Sequence, residues 1–567
     1  MTRGWDGAYD VVIAGSGAAA LTAAVTAAAN GLRPLVVEKT GYWGGTTAYS
    51  GGGVWIPANP AQLADGEHDS VEDGLAYLEC IVEDADPASS RERKLAFLRN
   101  GPELVRFLAD QGFEWQRTER YPDYYPDRPG GRIGRQLEGR IFDGNRLGGW
   151  LETLRRRPGA PPLAIQSGDL DQLVLAFRTR AGFVRAMRVL GRTAGWRLIR
   201  RVPLASGLSL VGQLMEIVQR SAVPVWLNSP LRQLIIEDGR VTGAVVERDT
   251  RTLHVRANAA VILAAGGFAR NDGYRRRFQP VGDEWSSAAR GDTGDAIQAG
   301  IDAGAATALM DDAWWGVSFI TPEGARTFCL WERSLPGAII VDQTGERFVN
   351  ESTSYVDVGH ALLERNRTVP AVPSWLIMDA RHRRRYPFGT ALPGVTPRRL
   401  VESGFLVTAG SLDELAARTG IDAAGLRSTV GRFNRFAAAG VDEDFGRGGT
   451  VYDNYYGDPR VAPNPNLAPI ENPPFWAARI YPGDLGTKGG LLTDEHARVL
   501  RDDGKPIPGL YAAGNTAATV MGRTYPGPGG TLGPAMVFAY IAANHLATTV
   551  GAAAAARADV PDSEGGA

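Results

Sequence analysis

Gly15, Gly17 and Ala20 fill the three small positions of a G-x-G-x-x-G/A pattern in GSGAAA, directly after the β-branched run YDVVIA at 9–14. The first small residue permits a tight turn, the second lets a main chain approach a pyrophosphate, and the third allows close packing of helix on strand. A helix N-terminus then meets the phosphates. Glu38 closes the next apolar run, PLVVE at 34–38, where a carboxylate can accept hydrogen bonds from a ribose hydroxyl. An acid there favours an unphosphorylated ribose. The glycine pattern by itself also describes ordinary Gly-rich turns; strand before, helix after and acid beyond together point to a dinucleotide. A second cluster, GGTTAYSGGG from Gly44 to Gly53, offers further amides and hydroxyls to another polar ligand portion. It suits a flavin better than a dissociable nicotinamide.

Positioning such residues takes a parallel sheet. The order strand, glycine turn, helix to about Asn30, strand at 34–38 supplies its start. Helical patterns broken by Asp-Pro and Pro-Asp punctuation run to about residue 118. Between 223 and 268 the runs VPVWL, LRQLIIEDG, VTGAVVER, LHVRA and AAVILAAGG read as a strand-rich meander that returns to the parallel sheet. Residues 313–480 are mixed and Pro-rich. The tail brings back short strands (GLLTD, ARVL, GLYAAG) and ends in an Ala-rich helix expected at about 531–549, with the last dozen residues disordered. No repeat of fixed period is visible.

The 567 residues exceed one hydrophobic core, so two large lobes or three smaller units are expected. With 44% hydrophobic and 22% charged residues the chain is globular, which excludes collagen-like and largely disordered classes. A net charge of -2 leaves no whole-chain field to attract nucleic acid. Cys80 and Cys329 stand far apart without a CxxC, excluding a disulfide framework and a structural zinc site and fitting a reducing compartment. Folded-domain sequence from about residue 9 leaves no room for a secretory signal, and no apolar run is long enough to span a membrane. A cytoplasmic protein without a metal is expected. His68, His254, His360, His382, His496 and His545 have neither metal spacing nor a nucleophile partner. The basic run at 381–385 reads as a solvated turn.

Four separated pieces resemble a known family: GSGAAA with EK and GGTTAYSGG, ILAAGGFARN at 262–271, GERFVNEST at 345–353, and the tail GGLLTDEHARVL, IPGLYAAGN and YPGPGGTLGPAM. They resemble the flavoproteins related to fumarate reductase and succinate dehydrogenase, and within them the 3-ketosteroid dehydrogenases. The resemblance implies an α/β fold: a Rossmann-like FAD-binding domain from residues 1–312 and 484–567, with an α+β catalytic domain inserted at 313–483. It implies noncovalent FAD, since no His lies near the glycine loops. The positions that match the family's cofactor contacts are Gly15, Gly17, Ala18, Ala19, Ala20, Glu38 and Lys39; Gly44, Gly45, Thr46, Thr47, Ser50, Gly51 and Gly52; Ala265, Gly266, Gly267, Asn271 and Asp295; and Gly514, Asn515, Gly530 and Leu532.

The tail Tyr525-Pro-Gly-Pro-Gly529 is similar to the keto-group site of Δ1-dehydrogenases, where a Tyr hydroxyl and a Gly amide donate to one carbonyl oxygen. Tyr355 falls where the family places its proton-abstracting Tyr, and Tyr121-Pro-Asp-Tyr124-Tyr125 resembles the loop supplying an assisting Tyr, assigned to Tyr124 with Tyr125 close behind. The chemistry agrees. Desaturation sends one hydrogen away as hydride and one as a proton to a base. A phenol of pKa ~10 is a poor base for an unactivated C–H, and donors on the carbonyl oxygen close that gap. All three Tyr also admit a packing role. The readings that stand are 1,2-desaturation of 3-ketosteroids with electrons passing to an acceptor such as a quinone; a related enzyme acting at another ring bond or on a non-steroidal cyclic enone; and a non-catalytic flavin-binding protein at a membrane surface.

An insert at about 151–218 departs from shorter family members. Between Gln172 and Pro203 stand eight Arg and no acid. On a helix, Leu173, Phe177, Val184, Met187, Ala194, Leu198 and Val202 share one side, and Arg178, Arg185, Arg188 and Arg192 another; Gly182, Gly191 and Gly195 make a helical hairpin an equal reading. LASGLSLVGQLMEIV at 204–218 adds apolar length. Residues 172–218 are expected to lie on an anionic membrane surface at the inner face of the cell membrane, or else to cap the protein's own surface or a subunit contact.

Overall fold

The computed structural model describes residues 4–82, 87–157 and 163–558, with side chains to 551. Strand Gly7–Ala14 runs parallel to Pro34–Val37 on one side and to Arg251–Leu263 on the other. Val225–Trp226 extends the sheet beyond Pro34–Val37, and Pro506–Ala512 then Arg498–Leu500 extend it beyond Arg251–Leu263. Val11, Val12 and Ile13 are fully buried, each contributing about 1.5–3 kcal/mol of apolar burial. A parallel strand covered on both faces needs such an unbroken apolar run.

Helix Ala18–Ala29 is buried through Ala27 because it is mostly Ala, with no polar residue but Thr22 and Thr26: small side chains let it sit between the sheet and the C-terminal helix Leu532–Ala558. That helix outruns the expected 531–549, and most of the expected disordered tail lies outside the described residues. The meander differs from expectation in one respect. LHVRA and AAVIL are a single strand, Arg251–Leu263, whose first half pairs antiparallel with Arg240–Arg248 and whose second half pairs parallel with Gly7–Ala14. Asn258, the polar break between the two runs, hydrogen-bonds Asp10 on the neighbouring strand instead of ending its own.

A second, wholly antiparallel sheet is built from later sequence: Arg326–Phe328, Ala313–Ile320, Phe475–Thr487, Ser374–Met378 and Ala338–Val341 in that order, with Leu406–Ala409 also on Phe475–Thr487. Helices Tyr355–Arg365 and Ala423–Ala439 cover it. The fold is thus α/β: a Rossmann-like unit joined to an inserted α+β unit. The 381–385 run is a correction. It lies in helix Ala380–Arg385 with His382 and Arg383 buried, because this helix packs its polar face inward after capping on Asp379.

The Arg-rich insert is also corrected. Residues 158–162 lie outside the described residues; past them, helix Leu170–Leu173 leads to one continuous helix, Arg180–Leu198, and no hairpin forms. Thr179 caps its first turn, and Gly182 lets that turn press on the Leu175 carbonyl. Arg185 and Arg192 turn inward to the buried carboxylate of Asp169, and Arg178 to Asp458. The acids this segment lacks are supplied from outside it. Phe177, Phe183, Val184, Met187, Leu190 and Leu198 face outward, the last 85% exposed. The run at 204–218 does not join this surface: helix Gly207–Arg220 is core, packed on Ala18–Ala29.

Candidate active site

One continuous cavity runs from the end of strand Gly7–Ala14 to the second sheet. At its first end Gly15 has φ +105°, and a Cβ there would lie 2.3 Å from the Ala264 carbonyl, so only glycine makes this turn. Helix Ala18–Ala29 has no side-chain cap at Gly17, which leaves its N-terminus directed at the cavity. Glu38 accepts from Ser16 Oγ at 2.6 Å and from the Thr40 amide and hydroxyl at 2.9 and 2.8 Å; each carboxylate oxygen keeps acceptor capacity. Lys39 bonds Thr293 and Asp295, pinning the 293–295 turn to the second parallel strand. Burial works against the Asp295 carboxylate, but the Lys39 and Thr293 hydrogen bonds win and hold its pKa below the ordinary value.

The loop Gly44–Gly53 takes up three positive φ angles, at Gly44, Gly45 and Gly52. A Cβ at Gly52 would sit 2.4 Å from the Ser206 main chain. Thr47 Oγ1 accepts from the Ala18 amide and Thr46 Oγ1 from the Ala289 amide, so this loop joins the first helix to the third strand's continuation.

Of the residues singled out for a dinucleotide, the cavity is lined by Gly15, Gly17, Ala18, Ala19, Glu38, Lys39, Gly45, Thr46, Thr47, Ser50, Gly51, Gly52, Ala265, Gly266, Asp295, Gly514, Asn515 and Leu532. Ala20, Gly44, Gly267, Asn271 and Gly530 do not line it. Ala20 is buried in the helix, as the packing position of its pattern requires. A Cβ on Gly267 would meet Thr487 Oγ1 at 2.0 Å, so Gly267 serves strand packing. Asn271 caps helix Asp272–Phe278, and the Gly530 amide is spent on the Gly527 carbonyl. The sequence reading missed Asp292, which lines the cavity with Oδ1 buried against Gly266 and without a partner in the chain. A glycine-walled cleft at a helix N-terminus, a carboxylate beyond the second strand and a buried carboxyl on the wall without an ion pair fit an FAD.

The other end is aromatic. Tyr355 opens helix Tyr355–Arg365, Tyr525 precedes the turn into the last helix, and Tyr124 lies on the loop after Arg117. Their ring centroids are 5.0 Å (Tyr355–Tyr525), 5.3 Å (Tyr124–Tyr525) and 5.4 Å (Tyr124–Tyr355) apart. Main-chain bonds fix them: the Tyr124 amide donates to the Pro526 carbonyl at 3.0 Å and the Trp55 amide to the Gly529 carbonyl at 3.2 Å, while Trp55 Nε1 holds Asp123 at 2.7 Å. Gly529 has φ +99°, and a Cβ there would lie 2.5 Å from the Gly53 carbonyl carbon.

Burial and the neighbouring phenols push the hydroxyls of Tyr355 and Tyr124 well above the ordinary phenol pKa. Tyr525 is raised by burial too, but hydrogen bonding with Thr531 and Tyr355 and the amides of Thr531 and Gly529 oppose the rise. Thr531 Oγ1 lies 3.2 Å from the Tyr525 oxygen. Tyr125 turns away and bonds Asp357 at 2.9 Å, so of the loop's phenols Tyr124 is the one against Tyr355.

Three phenols went unrecognised in the sequence: Tyr452, Tyr455 and Tyr456. Tyr452 packs tilted with its centroid 4.4 Å from that of Tyr124, Tyr455 stacks 4.3 Å from Tyr121, and the hydroxyls of Tyr121 and Tyr456 are 3.1 Å apart. The only sign was YDNYY itself, which reads as packing. Burial pushes the Tyr452 hydroxyl well above the ordinary phenol value, and fully buried Arg333, which lies behind the three, opposes that rise without cancelling it. Leu170, Phe328, Leu330 and Leu485 complete this end of the cavity, and the guanidinium groups on the lining, Arg155 and Arg157, sit with Thr40 and Tyr49. No dicarboxylate grip stands among the phenols in the described residues.

A sequence profile of the FAD binding domain family matches residues 10–532. The 3-oxosteroid 1-dehydrogenase of Mycolicibacterium smegmatis is 44% identical over 96% of this chain and 98% of its own. The chain belongs to the FAD-dependent 3-oxosteroid 1-dehydrogenase family. Another relative in the same group, the 4-oxocyclohex-2-ene-1-carboxylate 5-dehydrogenase of Sinomonas cyclohexanicum, is 37% identical over 95% of this chain and 94% of its own. The crystal structure of 3-ketosteroid Δ1-dehydrogenase from Sterolibacterium denitrificans in complex with 1,4-androstadiene-3,17-dione superposes with a TM-score of 0.90 at 40% identity, covering 96% of this chain and all of that one. The 3-oxosteroid dehydrogenase fold therefore extends over nearly the whole molecule.

Proposed function

We propose that the protein carries out FAD-dependent 1,2-desaturation of 3-ketosteroids. The observation that carries this reading is the trio of phenol rings 5.0–5.4 Å apart beside the Gly529 turn, at the end of the cavity that Leu170, Phe328, Leu330 and Leu485 complete. Residues 1–312 and 484–567 would hold FAD through the Gly15–Gly17 turn, Glu38, the Gly44–Gly53 loop and the Gly514–Asn515 turn, and 313–483 would supply most of the substrate's surroundings. When bound, FAD accepts the hydride, and an external acceptor such as a quinone then takes the electrons.

The chain's own residues supply the rest. The Tyr525 hydroxyl and the Gly529 amide donate to the steroid's keto oxygen and stabilise the enolate that develops there. Tyr355 in its phenolate form takes the neighbouring proton and becomes the neutral phenol, and Tyr124, in reach of the Tyr355 oxygen, stabilises the phenolate before the transfer. Burial of the three phenols strengthens each of these hydrogen bonds. A keto-acid ring would need a cation on the lining beside the phenols for its carboxylate; Arg333 lies behind Tyr452 and does not line the cavity, and the lining Arg155 and Arg157 sit with Thr40 and Tyr49. Tyr355→Phe tests the assignment: flavin and steroid binding persist while steroid-dependent dye reduction falls by at least ~100-fold. Retained activity would overturn it, and product identification by mass spectrometry and NMR separates 1,2-desaturation from attack at another bond.

For helix Arg180–Leu198 we infer a peripheral dock on the anionic inner leaflet of the cell membrane. The outward apolar stripe, flanked by exposed Arg180, Arg188, Arg200 and Arg201, supports this reading. No helix among the described residues is long and apolar enough to cross a membrane. Leu170, ten residues before the helix, lines the cavity, so a steroid dissolved in lipid would meet the site from that side. The quadruple variant Phe183→Ser, Met187→Ser, Leu190→Ser, Leu198→Ser loses cosedimentation with anionic liposomes; undiminished cosedimentation sinks the inference, and a wild-type dimer that this variant dissociates makes the stripe a subunit contact.

A further inference from the structure

Asp292 is the buried ionisable group on the cavity wall that none of the chemistry above uses. It is 5% exposed, and its main chain is held on both sides, its amide donating to Ala289 at 3.0 Å and its carbonyl accepting from Arg270 at 2.8 Å. Oδ1 lies against Gly266, where a Cβ would approach it to 2.4 Å, and has no hydrogen-bond partner in the chain. A buried oxygen left without a partner is unfavourable.

We propose that Asp292 is a cofactor-holding residue, donating a hydrogen bond from its neutral carboxyl group to an acceptor oxygen of the bound FAD. The charged groups around it leave it without an ion pair. From strand Phe475–Thr487 faces Asp484, itself paired with Arg275 at 3.1 Å. Lys39, beyond strand Pro34–Val37, is taken by Asp295 and Thr293, and Arg270, beyond strand Arg251–Leu263, donates to the carbonyls of Ala288 and Asp283. Burial first, then the charge of Asp484, pushes the Asp292 carboxyl up to about 7, against weaker pulls from the Gly267 amide, Lys39 and Arg270. A carboxylate would repel a diphosphate, whereas the acid can donate to it.

The sign follows. The acid form holds FAD, so affinity falls as pH rises through about 7. The experiment dilutes the holoenzyme and follows FAD release by recovery of flavin fluorescence from about pH 6 to about pH 8.5. Wild type releases FAD at least about tenfold faster at the alkaline end. Asp292→Asn, which keeps a donor but cannot ionise, releases slowly at every pH, and Asp292→Ala releases fast at every pH. A wild-type rate independent of pH, or an Asn variant as leaky as the Ala variant, overturns the proposal. The inference rests on the flavin reading of the cavity. A protein purified without flavin would overturn both, whereas a flavoprotein with pH-independent release sinks the Asp292 role alone.

Discussion

Tyr525→Phe isolates the role of one hydroxyl. The ring is buried and packs at 5.0 Å from Tyr355, 5.1 Å from Trp314 and 5.3 Å from Tyr124, contacts that Phe keeps. The lost hydroxyl leaves Thr531 Oγ1 without one partner, a change of about 1 kcal/mol in stability at most. Its effect on catalysis is larger, because the keto oxygen would keep only the Gly529 amide in a wall that admits little water. Removing one such donor costs about 10²–10³ in rate, or about 2.7–4 kcal/mol of transition-state stabilisation. Because the hydrogen bond strengthens as the enolate forms, kcat falls by this factor while KM for the steroid changes only a few-fold. The assay is anaerobic stopped-flow bleaching of the flavin by a 3-ketosteroid, with flavin content and Tm measured on the same preparation. A fall of less than about tenfold with full flavin content would show that Tyr525 does not polarise the ketone, and the keto end of the site would have to be sought elsewhere.

Four more outcomes follow from the geometry. Because burial raises Tyr355 and Tyr124, the bleaching rate climbs with pH across the alkaline range toward about 10, and a rate that peaks below neutrality contradicts a phenol base. The same raised pKa values favour the folded protein below the unfolded phenol value of about 10 and lose that contribution as pH rises through the folded values, so Tm drops in strong alkali. Gly529→Ala must carry a side chain at φ +99° into the Gly53–Val54 main chain, which costs more than the about 1–3 kcal/mol of backbone strain alone; thermal melts register the loss, and an unchanged Tm refutes the turn's tightness. Asp169→Asn removes the carboxylate shared by Arg185 and Arg192 and frees helix Arg180–Leu198, so limited proteolysis cuts between 180 and 198 at least several-fold faster than in wild type. Equal cleavage would mean that apolar packing alone holds the helix.

The dinucleotide end was legible in the sequence because its chemistry is main-chain chemistry. Gly15 and Gly52 stand where no side chain fits, and Glu38 follows the second strand at a spacing set by one helix and one turn. Such constraints are local, and local constraints survive in a one-dimensional string. Tyr355 and Tyr525 could be named only through the motifs around them. What brings their rings within 5.0 Å is a cleft between a helix on the antiparallel sheet and a turn entering the last helix, a juxtaposition of segments 170 residues apart. Tyr452, Tyr455, Tyr456, Arg333 and Asp292 escaped notice for the same reason.

The insert shows the limit most directly. Its periodicity set Arg178, Arg185 and Arg192 apart from Val184, Met187 and Leu198, but Arg188, expected on the cationic side, is exposed beside the apolar stripe, and composition does not say which side faces in. Buried Asp169, outside the counted segment, draws Arg185 and Arg192 inward and turns Phe183, Met187 and Leu198 out. By itself the sequence determined the strand–turn–helix that addresses a pyrophosphate, because glycine conformations and an apolar strand leave few alternatives. Only the tertiary structure decided which phenols meet, which carboxyl lacks a partner and which face of a helix is left bare, because each depends on residues distant along the chain competing for the same buried hydrogen bonds.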